Sequence, residues 1–288
     1  MPQAVAYAQI AGLPPSAGLV AAPGALVAYA LLGTSRSLIV SATTATSALS
    51  TAAVAPLADG DAERFAAMSA ALALIAAVVL IVAGAFRLGG VMDLVSKPVM
   101  TGFLFGLGLT VTLAQLPALL GIPAGTGGFF EKLWDLVSDL DDADRWTVAV
   151  GLASVILLVG LRRFRPGVPG SLVVLVLSTA ASWAFDLSGH GVEVVGELPS
   201  AFPSVAWPDF AWQDAVDLLP AAFGVMIVSA EAVGVGRTIA SSQGYVVDTN
   251  RDLIALGGSN LLAGLSPGFV QSGGASQTMA AERAGGKT

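Results

Sequence analysis

Apolar residues fall in long, nearly charge-free runs, broken by short polar stretches in which charge is concentrated. The runs cover residues 17–32, 39–57, 65–86, 95–120, 146–161, 171–185, 215–236 and 253–265. Several reach the roughly 17–25 residues that a helix needs to cross a bilayer, and a few, such as 171–185 and 253–265, are shorter. Incomplete segments stand at 2–11 and 276–288. Between the runs, residues 129–140 (FFEKLWDLVSDL) place apolar side chains at helical spacing with acids opposite, which predicts an amphipathic surface helix. Residues 192–195 are expected to form a short extended piece.

Charge orients these runs. Arg36, Arg87, Lys97, Arg162, Arg163, Arg165, Arg237 and Arg251 fall in alternate loops, against Arg64, Lys132 and Arg145 in the others. Those others are acidic, and the longest, 187–213, holds no Lys or Arg. Because Lys and Arg collect on the cytoplasmic side, the start of the chain is placed inside and the acidic loops outside. The composition agrees: 55% hydrophobic and 11% charged, where soluble domains carry about 25% charged residues. The fold class expected is therefore an all-α polytopic membrane protein.

Glu231 interrupts this pattern. It is the one acid in the run 218–236, about 6 Å from its middle, where an ionised group is costly unless it faces water, a partner or a substrate path. The bland alternative is an acid that snorkels to the helix end or bonds a neighbouring helix.

Residues 41–51 (SATTATSALST) carry seven hydroxyls in eleven positions. Small hydroxyl residues favour close helix packing. They also suit a discontinuous helix whose free N–H groups and positive dipole end face an anion. Residues 267–276 (PGFVQSGGAS) read as the same device, so two helix starts could face one another across a site. Without cysteine, and with His190 as the lone histidine, the chain offers no thiolate or histidine cluster for a metal. Gly102–Gly108 and Gly285–Thr288 lack the strand–turn–helix setting of a nucleotide loop. No cofactor, no nucleic-acid partner and no enzymatic activity are expected.

Several ordered motifs together resemble the SulP family of anion transporters. They are Pro2-Gln-Ala-Val-Ala-Tyr-Ala8 with Gly12-Leu-Pro-Pro15, Gly33-Thr-Ser-Arg36, and Ser96-Lys-Pro-Val-Met-Thr-Gly-Phe103 with Gln115 and Leu120-Gly-Ile122. Further along come Glu231-Ala-Val-Gly-Val-Gly-Arg-Thr-Ile239, Gly244-Tyr245, Asp248, Asn250, Ala255-Leu-Gly257 and Asn260. The resemblance implies a seven-plus-seven inverted-repeat transporter fold with half-helices three and ten. Residues 1–288 would then be an incomplete transmembrane domain, from part of helix one to the start of helix ten, without a STAS domain.

The resemblance further implies that Gln3 and Tyr7 on the first helix, Thr43 at the start of the third, and Ala275, Ser276 and Gln277 at the start of the tenth face the substrate anion. Glu231 would serve the coupling ion. Ser41-Ala42 replaces the frequent Gly-Pro, and Gln277 stands where animal members often have Arg. Val235 takes the place of a second acid found in sodium-coupled members, which favours a proton over Na⁺. The expected function is secondary active transport of an inorganic or small organic anion, sulfate or a dicarboxylate favoured, by proton symport. The alternative is a bicarbonate or chloride transporter or exchanger, Na⁺-coupled or uncoupled and channel-like. The setting expected is the inner (plasma) membrane, with a homodimer in the full-length parent.

Overall fold

The computed structural model describes residues 2–90, 97–123, 125, 129–165, 168, 170–192, 194, 205–274, 277–278 and 281–282. Ten α-helices are present among them: α1 (Pro2–Ile10), α2 (Pro15–Leu32), α3 (Thr44–Ala58), α4 (Ala62–Ala85), α5 (Lys97–Leu120), α6 (Phe129–Ser138), α7 (Arg145–Phe164), α8 (Gly170–Phe185), α9 (Trp212–Ser242) and α10 (Thr249–Leu265). Two strands of two residues, β1 (Val40–Ser41) and β2 (Ser272–Gly273), pair antiparallel, with Val40 opposite Gly273 and Ser41 opposite Ser272. Helices α2, α4, α7 and α9 are each long and apolar enough to cross a membrane.

The expected runs reappear with one division. Residues 39–57 are not a single helix, because β1 precedes α3 and only the later part is helical. The amphipathic stretch forms α6, with Phe130, Trp134 and Val137 exposed. Of the piece expected at 192–195, residues 193 and 195 lie outside the described residues.

Caps explain several helix starts. Asp61, Asp144 and Asp248 each accept backbone N–H groups of the following first turn, satisfying donors that a helix leaves open.

The chain forms two compact units, one of Gln3–Leu104 with Pro199–Thr288 and the other of Phe105–Leu198. In the first, α10 lies along α4 and α2, and α9 packs on α4 and α3. Leu72, Leu80, Leu218, Leu253 and Leu256 are fully buried there. Small residues bring the backbones close. A Cβ at Gly257 of α10 would come within 2.9 Å of the Ala77 carbonyl oxygen of α4. In the second unit α7 pairs with α8, and Trp146 packs on His190 with ring centres 4.6 Å apart. An apolar cavity of about 350 Å³ lies between α7 and α8 and includes none of the predicted site residues.

Candidate functional site

The site assembles where the two short strands meet. The backbone of Ile39 is held on both sides: its carbonyl accepts from Gly274 N at 2.9 Å, and its N–H donates to the buried Thr278 hydroxyl at 3.0 Å. Gly273 fits because a side chain would strike α9, its Cβ falling 2.5 Å from that of Ala232. Ser229 of α9 and Ser272 of β2 face one another through their hydroxyls at 3.2 Å, fully buried. The extended segment before β2 is held by one side chain. Asn260 Nδ2 donates to the Gln271 carbonyl (2.8 Å), and Asn260 Oδ1 accepts from Gln271 N (2.9 Å). An amide side chain thus replaces a neighbouring strand, as buried backbone groups require.

Three segments distant in sequence converge here. Gln277 Nε2 donates to Gln3 Oε1 on α1 at 2.8 Å, and Ser41 Oγ donates to Gln277 Oε1 at 2.6 Å. Tyr7, one turn after Gln3, packs against a cluster that includes Ala42 and Phe269. The Thr51 hydroxyl of α3 donates to the Ile10 carbonyl at the end of α1 (2.7 Å). Gln3, Tyr7, Ser41 and Gln277 therefore belong to one locality. Ala275 and Ser276 lie outside the described residues.

Thr43 caps α3. Its Oγ1 accepts from Thr46 N at 3.2 Å, while Thr46 Oγ1 accepts from Thr43 N at 3.0 Å. The first intrahelical bond runs from Ser47 N to the Thr43 carbonyl. With Thr46 N spoken for, Thr44 and Ala45 are the first-turn residues whose N–H groups have no acceptor within the helix. These donors, with the positive end of the helix dipole, favour an anion.

Glu231 is half-buried and lies off the main buried stripe of α9. Its level follows from two contacts. Arg64 donates to the Leu57 carbonyl at the end of α3 (2.8 Å) and pairs with Asp214 at the start of α9 (3.3 Å), so α3 and α9 run antiparallel. Further along, Gly224 of α9 faces Leu49 of α3. At 1.5 Å per residue, Glu231 is about 10 Å beyond Gly224, and Thr43 is about 9 Å back from Leu49. Seven residues are nearly two turns, so Glu231 also shares the flank of Gly224. It stands level with the start of α3.

Sequence reasoning passed over Ser229, Ser272 and Thr278 as site-building residues. Only the density of Ser and Thr around them signalled a polar interior. Ser41 was visible as a hydroxyl where Gly is frequent in the resembled family, but not its bond to Gln277.

The fold and this polar crossing define an all-α polytopic membrane protein. The chain belongs to the sulfate permease family, whose model matches residues 1–288, a family of permeases and not of enzymes. A probable sulfate transporter of Mycobacterium tuberculosis is 34% identical over 289 residues, covering 100% of this chain and 52% of the relative. The murine Solute Carrier 26 family member A9 anion transporter in the inward-facing state matches with a TM-score of 0.90 and 26% identity, over 100% of this chain and 51% of that one. The transmembrane domain of a cyanobacterium bicarbonate transporter, BicA, matches with a TM-score of 0.86 and 26% identity, over 100% and 74%. The chain spans about half the length of the curated relative it matches.

Proposed function

We propose that the protein is part of a secondary active transporter for an inorganic or small organic anion, sulfate or a dicarboxylate, driven by proton symport in the plasma membrane. The observation that carries this reading is the convergence of Gln3, Ser41 and Gln277 beside the start of α3. Amide and hydroxyl donors with open helix N–H groups bind an oxyanion without a fixed cation. The relative named as a probable sulfate transporter supports the substrate class. In this reading α3 and the helical turn that includes Gln277 and Thr278 belong to half-helices of an inverted repeat, residues 1–288 belong to one transmembrane domain, and the complete protein is a homodimer. Ala275 and Ser276 line the anion path with Gln3, Tyr7, Thr43 and Gln277. Glu231, level with the anion, carries the proton, and neutralising it offsets the charge of an entering anion.

The test is uptake of radiolabelled sulfate and succinate by the complete gene product in proteoliposomes under imposed pH or Na⁺ gradients. Saturable uptake that follows the pH gradient is expected. Uptake that follows Na⁺ and ignores pH would sink the proton assignment. Bicarbonate or chloride flux without sulfate uptake would replace the substrate, a reading that the likeness to the bicarbonate transporter favours.

A further inference from the structure

Two sequence motifs stand outside the site, Gly33-Thr-Ser-Arg36 and the stretch Tyr245 to Asp252, yet the fold closes one onto the other. Thr34 N donates to Asp252 Oδ1 at 2.6 Å, and the Thr34 hydroxyl donates to the same oxygen at 2.8 Å. Asp248 N donates to Thr34 Oγ1 at 3.0 Å. Next to this, Arg36 N donates to the Tyr245 hydroxyl at 3.2 Å, and the Arg36 guanidinium lies over the Tyr245 ring, 5.2 Å from its centre. Arg251 Nε donates to the Leu32 carbonyl at 3.0 Å. Asp252 is fully buried, and its Oδ1 accepts both bonds from Thr34.

The clasp is joined by short stretches of chain to two parts of the candidate site. On one side, Tyr245 and Asp248 follow directly from the end of α9, the helix of Glu231. On the other, five residues separate Thr34 from Val40, and Ser35 and Leu38 among them are buried. So short and packed a connection transmits a displacement of Thr34 to β1.

We infer that the bonding of Thr34 to Asp248 and Asp252 fixes the position of Ser41 and Thr43, making Thr34 and Asp252 positioning residues for the anion site. The transport half of this inference rests on the function proposed above; the structural half does not. Asp252 Oδ2 and the Tyr29 hydroxyl are both buried without a hydrogen-bond partner among the described residues. Asp252→Asn keeps Oδ1 as acceptor and presents an N–H₂ group in a pocket that holds the phenol oxygen, so it preserves the clasp. Asp252→Ala removes it. Thr34→Ser keeps the hydroxyl and Thr34→Val removes it at constant shape.

Hydrogen exchange followed by mass spectrometry on the complete gene product, with sulfate uptake measured on the same samples, tests the inference. Thr34→Val and Asp252→Ala are expected to speed exchange of the amides at 38–43 by about tenfold, the effect of losing one or two buried bonds locally. The apparent KM for sulfate should rise severalfold with a smaller change in maximal uptake. Thr34→Ser and Asp252→Asn should match the wild type in both. Unchanged exchange at 38–43 in Thr34→Val overturns the inference even if Asp252→Ala does not fold. Faster exchange with an unaltered KM overturns the positioning role. A wild type that takes up no anion defeats the transport reading, while the exchange result still decides the clasp.

Discussion

Gln277 and Gln3, 274 residues apart, share a hydrogen bond of 2.8 Å, and the same Gln277 side chain accepts from Ser41 at 2.6 Å. The amide uses both ends on neighbouring protein groups, so under the proposed function an entering anion would compete with these neutral dipoles. Gln277→Ala should raise the apparent KM for the anion severalfold and leave membrane insertion intact. Gln277→Glu, which adds a negative charge at the same place, should abolish uptake. Concentration-dependent uptake in proteoliposomes measures both.

Glu231→Gln separates coupling from binding. The amide has nearly the size of the acid and no proton to exchange. Anion binding, read by calorimetry, should persist, and uptake driven by a pH gradient should fall to background. A variant that still concentrates anion against its gradient would assign the coupling to another group.

The contact of α10 with α4 is built on a missing side chain. At Gly257 even a Cβ meets the Ala77 carbonyl and Ile81. Gly257→Val should cost about 1–3 kcal/mol, the usual range for overpacking a filled interior. Thermal unfolding in detergent should show the loss, with Gly60→Val, a site with nothing near its Cβ but at positive φ, showing the cost of backbone strain alone.

Asp144 caps α7, accepting Thr147 N at 2.6 Å. The Thr147 backbone and side chain hold its carboxyl below the usual carboxylate range. Its folded pKa is depressed, so its contribution to the helix start is present above the unfolded value of about 3.9. It is lost as pH falls through the folded value. Exchange of the Thr147 amide, corrected for intrinsic rate, should accelerate as pH falls below about 4. Asp144→Ala should show the fast exchange at every pH, and Asp144→Ser should restore the slow one.

How much of this was legible depended on range. The runs ending at Leu32 and Leu265 coincide with helix ends, because apolar length and caps such as Asp248 are local signals. Thr43 stood out through the hydroxyls around it, and Glu231 through its cost in an apolar run. Val40–Ser41 and Ser272–Gly273 were invisible as strands, since two residues carry no periodicity and the partner lies more than 200 positions away. The engagement of Thr34 with Asp252 was hidden for the same reason: each residue is an ordinary loop or helix-start residue until the fold supplies the other. The level of Glu231 against α3 needed the Arg64–Asp214 pair, which hydropathy does not encode.

Asn260 serves residue 271 as a neighbouring strand would, through one donor and one acceptor. A real sheet would share that load over many rungs and would resist bending at any one of them. Here the non-helical segments rest on the Asn260 and Gln271 amides, two pairs of strand residues and a few hydroxyls. Asn260 carries both bonds to residue 271, so its loss would free the Gln271 N–H and carbonyl together.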